Sequence, residues 1–363
     1  MNKVMKMELD CMKLGADYFR KDADAGNPEA QYYLGKCYAL GYGVEKKHDE
    51  AINWFRKSAE QNYAGGFHGL GVCYANGHGV AKDEGEAVVW YRKAAVRGYA
   101  KAQFNLAVMY FKGRGVEKDE SESASWCRKA AEQGDVNAQF CLGWVYAKGR
   151  GVEKDEVEAV VWYRKAAEQG YAKAQTYLGV MYFNGCGVEK DEVAAVSWYR
   201  KAAEQGYAKA QFNLGVMYAN GIGVEKDEVA AVLWYRKAAE QGDAEAQNNL
   251  GVMYDNGCGV DKDEVEAVSW YRKAAELGYA AAQCNLGVMY FNGRGVEKDY
   301  VEAVVWYRKA AEQGLAHAQF VFGVMYENGC GVVKDAVCAV KWYCKAAEQG
   351  LDLAENALRR ILS

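Results

Sequence analysis

A glycine returns every 36 residues along most of this chain: Gly98, Gly134, Gly170, Gly206, Gly242, Gly278, Gly314 and Gly350, with Gly26 ahead of them and Asn62 in the one vacant place. Between Gly206 and Gln241 the phrase reads GYAKAQFNLGVMYANGIGVEKDEVAAVLWYRKAAEQ, and close copies flank it on both sides. A fixed period of roughly 20–50 residues marks a stacked array of small units. Such an array grows by adding neighbours rather than by enlarging one core, so the 363 residues are not read as two or three globular domains.

Within one unit, Ala210, Leu214 and Tyr218 recur at four-residue steps, the spacing of a buried helical stripe. Gly215 inside that helix costs about 1 kcal/mol against alanine, which predicts that another helix comes very close there. Asn220-Gly221 ends the helix, since both residues tolerate a left-handed cap. After the turn G-x-G-V-x-K-D, Asp227 is the expected N-cap of a second helix. Asp83/Glu86, Asp155/Glu158 and Asp263/Glu266 have the spacing of a capping box. Ala231, Trp234, Tyr235 and Ala238 supply the second buried face, and Arg236 and Lys237 lie near the end where a helix dipole favours cations. Tryptophan holds its place in register from Trp54 to Trp342 and reads as structural; Trp144 alone is out of register. Each unit is a helix–turn–helix, and neither helix can bury its stripe without neighbours. The chain divides into a leading half-repeat of second-helix type over 1–25, nine repeats over 26–349 and a capping helix over 350–363. Tyr18-Phe19-Arg20-Lys21 fall where later repeats carry Trp-Tyr-Arg-Lys, and Arg359 and Arg360 make the far cap basic.

Composition narrows the function. A net charge of −4 and a pI near 5.8 argue against a general nucleic-acid or anionic-membrane binder. No stretch reaches the roughly 20 apolar residues of a membrane helix, and the start lacks the apolar core of a secretory signal. A cytoplasmic, monomeric protein is expected, with export without a signal sequence left open. The 11 cysteines do not form a framework: Cys186, Cys258 and Cys330 sit in G-C-G turns two repeats apart, on the order of 20–40 Å, too far for a disulfide. Cys37 and Cys73 share an apolar helix position, and reduced thiols are expected.

The phrase A-x-A-Q-x-x-L-G-x-M-Y-x-N-G-x-G-V-x-K-D-x-x-x-A-x-x-W-Y-x-K-A-A-E-Q-G resembles the Sel1-like repeats, relatives of the tetratricopeptide repeats, over about residues 10–363. The period and the G-x-G-V turn separate it from ordinary tetratricopeptides of about 34 residues. The resemblance implies an all-α fold: a right-handed superhelical solenoid of stacked helix–turn–helix repeats whose concave side binds proteins or peptides, in the manner of adaptors. In the cysteine-rich, secreted branch of that family, cysteines replace the second alanine of K-A-A-E-Q and the glutamine of A-Q. Here Ala167 and Gln175, Ala203 and Gln211 stand there instead, which puts the disulfides and any hydrolytic activity of that branch in doubt.

Function is sought where copies differ. Positions three, six, seven and thirteen after the marker glycine vary most, and three, six, ten and thirteen fall on one helical stripe. The resemblance places that stripe in the groove. It carries Phe104, Phe111, Phe140, Trp144, Phe183, Phe212, Phe291 and Phe320, with Lys101, Lys173 and Lys209 at position three and Lys112 and Lys148 at the helix ends. Position seven adds Asn105, Asn213, Asn249 and Asn285, the place at which tetratricopeptides that hold peptide carboxylates use an asparagine. Rings that fill pockets, amides that bond a backbone and lysines that attract carboxylates suit an extended, acidic peptide or protein partner. The competing reading packs the position-six rings between neighbouring first helices, and the asparagines before the turn glycine, such as Asn184 and Asn256, read as caps. His48, His68, His78 and His317 are scattered, and His68, Cys73 and His78 share no helix face, so no metal site is expected. No P-loop, G-x-S-x-G or dinucleotide fingerprint occurs, and neither a cofactor nor catalysis is expected. A metal-dependent or hydrolytic enzyme and a purely structural spacer are the alternatives to a binding scaffold.

Overall fold

The computed structural model describes residues 15–362, and the side chains of 15–361. The described chain opens in helix over 15–24 and continues through helices from Pro28–Leu40 to Asp352–Leu362, with no strand among the described residues. It is an all-α solenoid of helix–turn–helix repeats. Two compact units divide it, one running up to Met181 with Gly185–Glu189, the other from Lys190 onward with Tyr182–Asn184. The first 14 residues of the leading half-repeat and Ser363 lie outside the described residues.

Each repeat has a first helix, A, and a second, B; in the repeat from Gly206 these are Ala208–Asn220 and Glu228–Glu240. The expected stripes are buried: Ala210, Leu214 and Met217 on A, and Ala231, Tyr235 and Ala238 on B. What comes close to the glycine in helix A is the tyrosine ring of helix B. A Cβ on Gly215 would stand 2.7 Å from the ring of Tyr235, and Gly143, Gly251 and Gly323 meet Tyr163, Tyr271 and Tyr343 at the same distance. One repeat makes the opposite choice on both sides of this contact. Ala107 replaces the glycine and Cys127 the tyrosine, both fully buried, so the methyl gained in A is matched by the ring lost in B.

Repeats lock to one another through the turn. The second glycine of G-x-G takes a left-handed φ (+65° at Gly115), and a Cβ there would run into the backbone of Glu84, the first residue of the preceding B helix. Gly151 meets Glu120 and Gly259 meets Glu228 in the same way. The A-Q glutamine adds a buried polar link. Gln103 Nε2 donates to the carbonyl of Ala95 at the end of the preceding B helix (3.0 Å), and its Oε1 accepts from Gln133 Nε2 (2.6 Å). Gln139 and Gln211 repeat both bonds. The cysteine positions of the disulfide branch thus hold a glutamine and a carbonyl joined by a hydrogen bond, as in Gln175 to Ala167 (3.0 Å).

Four details differ from the sequence reading. The capping box is half made: Asp155 Oδ1 accepts from the Glu158 N–H (3.0 Å), but the Asp155 N–H already donates to Tyr146 O (3.1 Å). The Glu158 carboxylate instead accepts from Trp162 Nε1 (3.2 Å), and Glu266 serves Trp270 likewise (2.9 Å). The turn asparagine is the last helical residue rather than the cap; the left-handed cap is the glycine after it, while Asn220 Nδ2 donates back to Val216 O (2.9 Å). The cations at the end of B have specific partners. Each lysine of W-Y-R-K places Nζ 3.7–4.1 Å from the centroid of its tryptophan, across all nine in-register tryptophans. The arginine donates to the tyrosine ending the next A helix, as in Arg200 to Tyr218 Oη (2.8 Å) and Arg272 to Tyr290 Oη (2.7 Å). Finally, those tryptophans divide: Trp54, Trp126, Trp162, Trp270 and Trp306 are buried, while Trp90, Trp198, Trp234 and Trp342 are half-buried.

The ends follow the same rules. Arg20 donates to Tyr38 Oη (3.0 Å), the bond made by the B-helix arginines, so 15–24 acts as a B helix. The last helix packs Ala357, Leu358 and Ile361 on Phe320 and Tyr343, and Arg360 pairs with Glu327 (2.7 Å).

Two outcomes are expected. Leu277, 60% exposed, stands where other repeats have the bridging glutamine, and Gln247 Oε1 is left buried without a donor. Leu277→Gln should raise stability by on the order of 1 kcal/mol, read as a higher urea midpoint. Cys127→Tyr should destabilise by about 1–3 kcal/mol through overpacking against Ala107, and adding Ala107→Gly should restore most of the loss in a double-mutant cycle.

Candidate functional site

In the first unit, Lys101, Phe104, Asn105, Phe111, Phe140, Trp144 and Lys173 are all half-buried on A helices. Phe111 and Trp144, from neighbouring repeats, meet edge to face with ring centroids 5.6 Å apart. One turn before Trp144, Phe140 is ringed by Tyr163, Tyr171 and Tyr177 at 5.3–5.6 Å, and Lys173 Nζ stands 4.9 Å from its centroid. No carboxylate of the described residues pairs with Lys173. Tyr171 and Tyr177 complete this cluster and were not singled out in the sequence; the only signal was Tyr177 at variable position seven.

In the second unit, Phe183, Lys209, Phe212, Asn213, Asn249, Asn285 and Phe291 are likewise half-buried. Lys209 is already engaged, by Glu245 at 2.9 Å and by the Phe212 ring at 4.5 Å, so its charge is not a free attraction for an acidic partner. Lys190 stands over Phe183 at 5.9 Å, and Phe291 meets Tyr300 edge to face at 5.0 Å.

At position six the packing partner is the second helix of the same repeat rather than a neighbouring first helix alone. Phe140, Phe212 and Phe320 lie tilted 36–40° on the B-helix tyrosine of their own repeat at 5.6–6.0 Å, so one side of each ring belongs to the core, yet each remains half-exposed. The asparagines are mostly spoken for. Stacking sets position seven of one A helix against position six of the previous one. Asn105 Nδ2 lies 3.2 Å from His68 Nε2, and Asn285 Nδ2 donates to Asn248 Oδ1 (2.9 Å). Asn249 Oδ1 accepts from Asn248 (3.3 Å) and its side chain bonds the Tyr235 hydroxyl. Asn213 has no hydrogen-bond partner within its own unit.

Three of the four histidines that look scattered in sequence, His48, His68 and His78, converge in the first unit. Elsewhere the residue inside G-x-G reaches back 30 positions to the first residue of the preceding B helix as an ion pair, in Arg114–Glu84, Arg150–Glu120 and Arg294–Glu264. Here that pair is His78 on His48, stacked with centroids 4.3 Å apart and planes 11° apart. Both line a cavity of 240 Å³ together with His68 and Cys73. The expectation that His68, Cys73 and His78 cannot share a face held for a single helix, but the turn folds His78 back to the same space.

These repeats have known relatives. The profile of the Sel1 repeat matches nine successive windows, 28–63, 68–99, 100–135, 136–171, 172–207, 208–243, 244–279, 280–315 and 316–351. The chain belongs to the Sel1 repeat family. Sel1 repeats generally build non-catalytic scaffolds for protein interactions. The solved structure of c5321, a protective antigen of uropathogenic Escherichia coli strains with this repeat fold, is 37% identical over 96% of this chain and 90% of that one, with a TM-score of 0.57. A Sel1 repeat protein from Oxalobacter formigenes is 37% identical over 83% of this chain and 87% of that one, with a TM-score of 0.64. No curated protein matches the chain. The Sel1 profile skips residues 64–67, the start of the glycine-rich helix Ala64–Asn76 that borders the histidine cavity. Among the described residues, no helix is long and apolar enough to cross a membrane.

His48 gives a pH test. Desolvation, with the nearby His78 and the Lys46 ammonium, holds its imidazole below the ordinary 6.5. The unfolded chain therefore takes up the proton first, and the stability this ring contributes is full above the ordinary value and declines as pH falls through the lowered one. Between pH 7 and 5, wild type should lose stability relative to His48→Gln, measured as converging urea midpoints; parallel curves would remove His48 from the acid response.

Proposed function

We propose that this Sel1 repeat protein is an interaction scaffold whose A-helix faces hold an extended, acidic segment of a partner protein. The observation that carries the reading is the Phe111–Trp144 pair beside Phe140 and Lys173: half-buried rings on adjacent repeats with an unpaired cation among them. Half-buried aromatics are costly to leave in water and gain most when a partner completes their burial. The spacing also suits an extended chain. Such a chain advances about 3.3 Å per residue and packed helices stand about 8–10 Å apart, so roughly every third side chain meets a new repeat. Lys173 supplies attraction for carboxylates, which acts mainly on rate and orientation. In the second unit Asn213 and Phe212 offer the same pairing of amide and ring, with Lys209 neutralised by Glu245.

Trp144→Ala should reduce partner retained from a native extract by at least tenfold, as expected when an aromatic anchor worth about 2 kcal/mol is lost. Its melting temperature should stay close to wild type. Lys173→Glu should weaken capture further as salt is lowered. Unchanged retention by Trp144→Ala, or loss of fold together with binding, would remove these rings from the interface.

A further inference from the structure

One junction between repeats carries two thiols where others carry an aromatic ring and its partner. The ring of a B helix meets the residue 14 positions later, at position seven of the next A helix. Phe55 lies on the backbone at Gly69, Tyr91 bonds Asn105, and the Tyr163 and Tyr177 rings stand 5.5 Å apart. In the second unit Tyr235 bonds Asn249, and Tyr343 packs with Ala357. After the repeat that begins at Gly98, both of these places are cysteine: Cys127 on the B helix Glu120–Glu132 and Cys141 on the A helix Val136–Lys148. Cys127 is fully buried, and its Sγ donates to the carbonyl of Ala138 (3.3 Å), one turn before Cys141. The two thiols also engage each other as donor and acceptor. Cys141 is half-exposed. The cysteine positions of the disulfide branch are Ala131 and Gln139 at this junction, already joined by a hydrogen bond (3.2 Å), so the thiol pair is a separate feature.

Exposure and electrostatics give the two sulfurs different roles. The bond from Cys127, with the Lys173 ammonium nearby, outweighs burial and holds the Cys141 thiol below its ordinary range; the same bond and burial push the Cys127 thiol up. The thiolate is the reactive form, so Cys141 is the sulfur that meets a reagent from solvent and Cys127 is the one that waits behind it. We propose that Cys127 and Cys141 are a reversible disulfide site whose reactant is a hydroperoxide. The Cys141 thiolate attacks the terminal peroxide oxygen, the O–O bond breaks, and the leaving oxygen takes up a proton as an alcohol or water, which leaves Cys141 as a sulfenic acid. The Cys127 sulfur then attacks Cys141 Sγ, the S–O bond breaks, and the hydroxyl departs with the Cys127 proton as water while the S–S bond forms. The two sulfurs have given two electrons to the peroxide, and a small dithiol returns them by exchange. The product ties one B helix to the next A helix at the residue after Phe140. It also closes a short loop in the unfolded chain, which makes the oxidised protein harder to unfold. The proposal rests on this contact alone and not on the interface proposed above.

The test uses the full wild-type chain, reduced, freed of reductant and treated with an equimolar amount of hydrogen peroxide before alkylation and digestion with trypsin. Cleavage after Lys118, Arg128, Lys129 and Lys148 puts the two sulfurs on separate peptides, 119–128 and 130–148. Mass spectrometry should find these two joined as the main cysteine cross-link, and dithiothreitol should release them. The oxidised chain should have a higher urea midpoint, which dithiothreitol returns to the reduced value. Cys127→Ala should leave Cys141 as a sulfenic acid that dimedone labels, whereas Cys141→Ala should slow loss of the Cys127 thiol by roughly tenfold. The wild-type cross-link needs no variant and decides the matter even if a substitution at the buried Cys127 disturbs folding. The proposal is overturned if the two peptides stay unlinked, if the exposed Cys344 is oxidised in their place, or if dimedone labels Cys127 rather than Cys141.

Discussion

Every junction between repeats within a unit rests on a glycine with no room for a side chain. The second glycine of each turn lies on the backbone of the preceding B helix, in a left-handed conformation that other residues adopt only with strain. This contact holds the turn at the end of the next A helix against the preceding B helix, and the buried glutamine bridge and the arginine–tyrosine bond lie at fixed offsets from it. Because the contact is made by backbone, the side chains one position earlier are free to vary. That freedom is why the same spot holds an Arg–Glu ion pair in three places and a His–His stack in a fourth.

The fold was largely legible from the beat itself. A 36-residue period, alternating helix stripes and capping aspartates leave little but stacked helix pairs, and the boundaries follow from the glycines. What could not be read was pairing. The sequence shows Gly215 needing a close neighbour but not that the neighbour is the Tyr235 ring, and so it hides the meaning of Ala107 and Cys127, which look like two unrelated slips. Capping boxes failed halfway for a similar reason: the Asp155 N–H was already taken by a carbonyl on the other helix, an acceptor no local pattern reveals.

The candidate surface was legible in outline and not in detail. The 14 chosen residues are all half-buried, yet variable position six is buried in other copies, at Tyr32, Thr176, Asn248 and Cys284, so variation among copies does not by itself mark a position as outside the scaffold. Nor could variation tell a free group from one engaged by the next repeat. Lys209 and Glu245 occupy the same position in successive repeats, so their attraction follows from stacking alone, and Asn285 reaches Asn248 by the same geometry. In a solenoid, a polar residue at a variable position finds a partner one repeat away as readily as in a ligand. A functional residue there is better recognised by lacking such a partner, as Lys173 lacks a carboxylate, than by its type.

The same logic inverts the weight given to the histidines. Treated along one helix they diverge, because five residues turn through about 140°. Treated along the solenoid, His48 and His78 are 30 positions apart, the separation at which charged side chains meet in other repeats. Loss of that ion pair, loss of side chains at Gly65 and Gly69, and the skip in the family pattern over 64–67 all fall in one place. Independent drift would scatter such departures along nine copies. Their concentration around a single cavity, at a cost in helix stability, marks them as one coupled change to the scaffold.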